Sequence, residues 1–253
     1  MIEVKGVSKR FGSLQVLTDI NAQFRKGLVN QIIGKSGSGK SVLAKCMVGL
    51  HRPEEGVVLY EGRSFHDMDA DEKREIRQQI GMLFQGSALF DSLTVIENVM
   101  FPLKMFSNES RKQMEERAHE CLRRVNILEK DKLYPAQLSG GMQKRVGIAR
   151  AIAMNPRYLF CDEPNSGLDP QTSILIDDLI KEITEEFGTT TVVITHDMNS
   201  VMEVGDNIIF IHEGKMWWSG DRKELLTSDN KELNEFIFAS GLMREVKKGL
   251  SER

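Results

Sequence analysis

No stretch of this chain carries eighteen consecutive apolar residues, and the opening MIEVKGVSKRFG lacks the unbroken apolar centre of a secretory leader. A membrane role would therefore have to be reached through a partner. Cysteine is scarce. Cys46, Cys121 and Cys161 are widely spaced and form no CxxC pair, which argues against a disulfide framework or a zinc site and fits a reducing cytoplasm. An excess of one charge is also missing: the formal net charge is -3, so composition gives no reason to expect nucleic acid as a partner. Internal repeats and low-complexity segments are absent. What remains is an ordinary globular composition. Its 253 residues, 40% of them hydrophobic, suffice for one large domain or a core carrying a smaller subdomain.

Short β-like runs broken by Gly6, Gly12 and Gly27 occupy the first 29 residues and read as antiparallel strands. VNQIIG then runs into a glycine-rich loop and an apolar-periodic segment from Ser41 to Leu50, which is a strand, a loop and a helix. Between Thr94 and Pro156 the pattern turns helical. Thr94 with Glu97 makes a capping box, and Met114, Ala118, Cys121, Leu122 and Val125 recur at helical spacing. RYLFCDEP and TTTVVITHD read as buried parallel strands separated by a helix over about 172–187. NIIFIHEGKMWWSG reads as a hairpin, and Leu233, Phe236 and Ile237 as a short amphipathic helix. The alternation predicts an α/β core interrupted by an α-helical subdomain. We place the core with its β subdomain at 1–86 and 157–226, the helical subdomain at 87–156, and a C-terminal extension at 227–253.

The chemistry starts at Gly34-Lys35-Ser36-Gly37-Ser38-Gly39-Lys40-Ser41, which fits G-x-x-x-x-G-K-S/T between a strand and a helix. Gly34, Gly37 and Gly39 let the backbone wrap closely, so that N–H groups around Ser36 and Ser38 face phosphate oxygens at a helix N-terminus. Lys40 would reach the β and γ phosphates of a nucleotide, and the Ser41 hydroxyl would ligate Mg²⁺. A flexible glycine turn is the plain alternative, and the strand-loop-helix setting argues against it. At the end of YLFCDEP, Asp162 would hold Mg²⁺ and Glu163 would polarise the attacking water as general base. LSGGMQKR, residues 138–145, supplies a second phosphate-binding helix start. Ser139 is a natural N-cap, and Gly140 and Gly141 leave the helix open to close approach.

With these motifs in order, the sequence resembles an ABC-transporter ATP-binding subunit over almost its whole length. The resemblance implies the P-loop ABC ATPase fold, with an N-terminal antiparallel β subdomain and an inserted helical subdomain. It also implies a head-to-tail homodimer in which the signature helix of one subunit closes over ATP on the phosphate loop of the other. Further positions take their roles from the resemblance. Phe11 stacks on adenine, although the family more often has tyrosine. Gln85 touches Mg²⁺ and the attacking water. Asp169, in Ser166-Gly167-Leu168-Asp169, belongs to the loop linking the two sites, and His196 contacts the γ-phosphate. Cys161 and Asn165 depart from the residues usual at their positions without removing a catalytic group.

The stretch FQGSALFDSLTVIENVMFPL resembles more narrowly the MlaF-like ATPases of MCE-type lipid transport systems. That resemblance implies phospholipid or related cargo, an MlaE-like permease and a periplasmic MCE-domain protein, with this subunit peripheral on the cytoplasmic face of a bacterial inner membrane. A groove beside Gln85 would receive a permease helix on apolar anchors drawn from Ala88, Leu89, Phe90, Leu93, Met100 and Phe101, about half of which would instead fill the subdomain core. Leu233, Phe236, Ile237 and Phe238 are expected either to contact the other ATPase subunit or a small cytoplasmic accessory protein, or to pack on their own core. Two rival functions stay open: an ABC transporter of a polar solute such as an amino acid, and a soluble ABC ATPase of DNA repair or translation.

Overall fold

Alternating apolar residues over IEVKGVSKRF make β1 (Ile2–Phe11) a half-buried strand with Ile2, Val4 and Val7 inward. The computed structural model describes residues 1–239. These form two compact units, one of residues 1–25, 29–67 and 194 onward, the other of residues 26–28 and 68–193.

In the first unit β1 pairs antiparallel with β2 (Leu14–Phe24). Next come β3 (Val29–Ile33), buried at every residue, and α1 (Lys40–Met47), which stops before the expected Leu50. β4 (Glu55–Tyr60) pairs with the free edge of β1, and β5 (Arg63–Ser64) completes an antiparallel sheet in the order β2-β1-β4-β5.

The second unit begins with α2 (Ala70–Gln78) and β6 (Ile80–Leu83), followed by the helices α3 (Val95–Phe106), α4 (Arg111–Arg124) and α5 (Gly140–Ile152). β7 (Tyr158–Asp162), α6 (Pro170–Phe187) and β8 (Thr190–Ile194) complete it, with β6 and β7 parallel from Ile80↔Tyr158 to Leu83↔Cys161. The capping box of α3 forms as its sequence predicts. Thr94 N donates to Glu97 Oε2 at 2.9 Å, and Glu97 N donates to Thr94 Oγ1 at 3.4 Å. Such a cap contributes about 1 kcal/mol. On α4 the expected stripe is inward, with Ala118, Cys121 and Leu122 buried and Val125 buried just beyond the last turn. α5 is buried along most of its length and lies so close to β6 that a Cβ on Gly81 would sit 2.2 Å from the Ala151 carbonyl oxygen.

The chain then returns to the first unit with α7 (Met198–Val204), β9 (Asn207–His212), β10 (Lys215–Gly220), α8 (Arg222–Thr227) and α9 (Lys231–Ile237). β9 runs parallel to β3 and antiparallel to β10, making a mixed sheet that contains the expected hairpin. Its core joins Ile33, Val201, Ile208, Phe210 and Leu225 to Leu233, Ile237 and Phe238. The Phe236 ring lies 5.4 Å from that of Phe210, and Trp217 Nε1 donates to Glu232 at 3.0 Å. Leu233, Ile237 and Phe238 are buried in their own unit and Phe236 packs half-buried against the same cluster, as the packing alternative expects. Residues 240–253 of the extension lie outside the described residues.

Candidate functional site

The phosphate loop, His196 and Phe11 belong to the first unit. β3 delivers the chain into the loop, and a positive φ opens the turn at Gly34 (149°), Gly37 (80°) and Gly39 (103°). At Gly34 a Cβ would lie 2.2 Å from the Ile211 carbonyl oxygen and 2.9 Å from Ser38 Oγ, so only glycine closes the loop there. The Lys40 ammonium is buried and donates to the carbonyls of Gly34 at 2.8 Å and Lys35 at 2.9 Å. Ser38 Oγ is buried without a partner. A cation resting on the loop's own carbonyls beside an unsatisfied hydroxyl fits a polyphosphate ligand, which would satisfy both. Ser36 and Gly37 are exposed at the loop mouth, and Ser41, in the first turn of α1, adds an oxygen of the kind a hard dication takes.

His196 follows the end of β8 and is exposed. Its neighbour Thr195 donates its N–H to Ile32 O at 3.2 Å, which ties this segment to the strand leading into the phosphate loop. Phe11 is 43% exposed and meets the His51 ring edge-on at 5.2 Å. Core packing does not account for it, and an exposed aromatic ring at a strand end is available for stacking.

Gln85, Asp162, Glu163, the signature residues and Asp169 belong to the second unit. Ser139 caps α5, accepting the Met142 N–H at 3.3 Å, and Ser139 and Gly140 face solvent at the helix start. A Cβ on Gly141 would lie 2.6 Å from Thr172 Cγ2. Thr172 in turn donates to Asp169 through its N–H at 3.0 Å and its hydroxyl at 2.5 Å, and these bonds hold the Asp169 carboxyl below its usual range. Gly141 of the signature and Asp169 are thus brought together around one threonine. Asp162 ends β7 half-buried. Glu163 follows with a left-handed backbone, φ 50°, a conformation costly for a residue with a side chain. Asn165 has a structural reason: its amide donates to the buried Asp177 carboxylate at 2.8 Å.

Three residues that the sequence reading passed over hold the loop after β6. Lys144 on α5 donates its Nζ to the Gln85 carbonyl and, at 3.2 Å, to the Glu163 carbonyl. Six residues further along α5, Arg150 donates to Ser87 O at 2.6 Å and Ala88 O at 2.7 Å, where two successive residues stand at positive φ. The buried Asn98 side chain accepts the Phe90 N–H at 2.8 Å and donates to Phe90 O, Leu93 O and Thr94 O. A polar amide inside the apolar run VIENVMF was the one local signal for Asn98. Beside this loop opens an apolar groove of about 390 Å³ lined by Phe84, Phe90, Phe101, Pro102, Phe106 and Met154. Ala88, Phe90 and Phe101, among the six anchors expected, line it. Met100 is buried, and Leu89 and Leu93 are half-buried away from it.

A family model described as ABC transporter matches residues 17–166. The chain belongs to the ABC transporter family. The "Probable ribonucleotide transport ATP-binding protein mkl" of Mycobacterium leprae is 37% identical over 93% of this chain and 68% of its own length. The "Methionine import ATP-binding protein MetN" of Desulfitobacterium hafniense is 38% identical over 99% of this chain and 76% of its own. Among solved structures, the dimeric ATP-binding cassette MJ0796 in a post-hydrolysis state bound to ADP and Pi superposes with a TM-score of 0.80 at 37% identity. That match covers 87% of this chain and 98% of the cassette. As an ABC ATPase with the α/β cassette fold, this chain hydrolyses ATP with Mg²⁺ as a subunit of a transport complex, dimerises and partners a membrane permease. Among the described residues no helix is long and apolar enough to cross a membrane.

Proposed function

We propose that this ABC ATPase energises a lipid transporter, moving phospholipids or related lipids, from the cytoplasmic face of a bacterial inner membrane. A homodimer would bind an MlaE-like permease, and an MCE-domain protein would receive or supply the lipid. The observation that carries the reading is the loop FQGSALFDSLTVIENVMFPL, which resembles the MlaF-like group and frames the aromatic groove beside Gln85. A permease helix seated there would be read by apolar anchors. The methionine-import relatives support a second reading, a polar-solute transporter with the same engine and different cargo.

The residue roles belong to the same proposal. Phe11 stacks on adenine. The amides of residues 36–41 and the Lys40 ammonium would bind the phosphates, and Ser41, Asp162 and Gln85 are the residues that would hold Mg²⁺, which would supply charge neutralisation. Glu163 takes the proton of the attacking water, a contribution of about 10²–10⁴ in rate for a positioned base. His196 contacts the γ-phosphate. Ser139, Gly140 and Gly141 of the other subunit close the site with Asp169 linking the pair, so catalysis is mainly positioning and charge stabilisation.

The test traps tagged Glu163→Gln protein with ATP and Mg²⁺ in its native membrane and identifies co-purified proteins and lipids by mass spectrometry. A permease, an MCE protein and enriched phospholipid are expected. A solute permease without lipid enrichment overturns the cargo assignment in favour of the second reading.

A further inference from the structure

Lys144 is placed at unusual cost. It is a lysine 5% exposed on α5, and burial lowers its pKa, an effect the nearby Asp162 and Glu163 carboxylates partly offset. Desolvating an ammonium is unfavourable unless the site supplies good acceptors. Two of its acceptors are main-chain carbonyls from different parts of the second unit, that of Gln85 after β6 and that of Glu163 after β7. The Glu163 carbonyl also accepts the Ser166 N–H at 3.2 Å, closing the turn in which Glu163 stands at positive φ. Arg150 fastens the next two residues of the Gln85 loop to the same helix. A buttress needed only for folding could be apolar, as most of the buried length of α5 is. Here a cation joins the main chains of the two residues to which water activation is assigned.

We propose that Lys144 is a positioning residue for hydrolysis: its ammonium holds the backbones of Gln85 and Glu163 in one mutual geometry and carries any shift of the signature helix to both. The proposal rests on the roles given above to Gln85 and Glu163. It requires no contact between Lys144 and substrate, so its signature is a loss of turnover with nucleotide affinity preserved.

The experiment compares full-length parent, Lys144→Met and Lys144→Gln, measuring kcat and KM for ATP, the affinity of ADP, melting temperature, and hydrogen exchange at the amides of residues 86–88 and 166. Lys144→Met keeps the length of the side chain without a donor. It is expected to lose about 10²-fold in kcat, the scale of a misplacement near 1 Å, with KM and ADP affinity unchanged and faster exchange at those amides. Glutamine carries two N–H donors on one nitrogen and is expected to recover most of the rate and the protection. Parent-like turnover and protection in Lys144→Met overturn the proposal. So does a Lys144→Gln protein that melts like the parent yet leaves those amides unprotected, and so does an equal loss of rate and melting temperature in both variants, which marks a folding role only. Rapid turnover by Glu163→Gln, measured alongside, rejects the water-activation reading instead, and the exchange data on the lysine variants are independent of it.

Discussion

Replacing Glu163 by alanine and by glycine should reverse the usual stability order of those two residues. At an ordinary position glycine is the less stable by about 0.5–1 kcal/mol, because it loses more backbone entropy on folding. Glu163 stands at φ 50°, where a Cβ crowds the following carbonyl and costs roughly 1–2 kcal/mol. Both variants lose the same carboxylate and everything it touches, so the difference between them isolates the backbone. Glycine should come out ahead by about 0.7 kcal/mol, within bounds of about 0–1.5 set by those two terms. For a chain of 253 residues that is a melting temperature higher by about 2 °C. Urea unfolding and thermal melts of nucleotide-free protein measure it directly. Both variants should fall about 10²–10⁴-fold in kcat, as should Glu163→Gln, while still binding ATP. An alanine variant as stable as the glycine one, or more so, refutes the strained backbone. A Glu163→Gln protein that hydrolyses ATP rapidly refutes the assignment of the base.

Gly34→Ala should be destabilised by about 2–5 kcal/mol, since its Cβ meets the Ile211 backbone at 2.2 Å and φ is 149°. Calorimetry with ATP should show binding lost together with the melt shift, and a parent-like protein would refute the closed loop. Phe101→Asp puts a charge in the groove and should abolish co-purification of the permease while ATP affinity, read by fluorescent-nucleotide titration, stays at the parent value; retained permease would place its docking elsewhere. Burial pushes Cys46 and Cys121 up to about 11 and Cys161 up to about 12. A thiol reagent at pH 8 should therefore modify none of the three in native protein and all three in denaturant. Rapid native labelling at any of them would contradict the packing around it.

The phosphate loop, the cap of α3 and the acidic pair after β7 were legible because each is local: the residues that make the structure stand within a few positions of one another. The same holds for the stripe on α4, whose period is written in five residues. Lys144 and Arg150 were not legible. Their partners lie 59 to 63 residues earlier in the chain, or 19 later for Glu163, and are carbonyls, so no complementary side chain announces the pairing. The C-terminal apolar residues left two readings open for a related reason. Leu233, Ile237 and Phe238 show that something will be covered, but an amphipathic pattern does not name the surface that covers it, and here that surface is the unit's own sheet. The signature helix was recognised by its first turn, whereas the turns that follow bind it to the rest of the second unit.

The way Arg150 fastens the loop has an evolutionary corollary. Its two bonds end on the backbones of Ser87 and Ala88, while the walls of the groove are side chains such as Phe84, Phe90 and Phe101. Arg150 also lines that groove, with its guanidinium 6.0 Å from the centre of the Phe90 ring. A change of wall at Phe90 therefore alters the packing of the side chain that fastens the loop, so wall and fastening are expected to vary together.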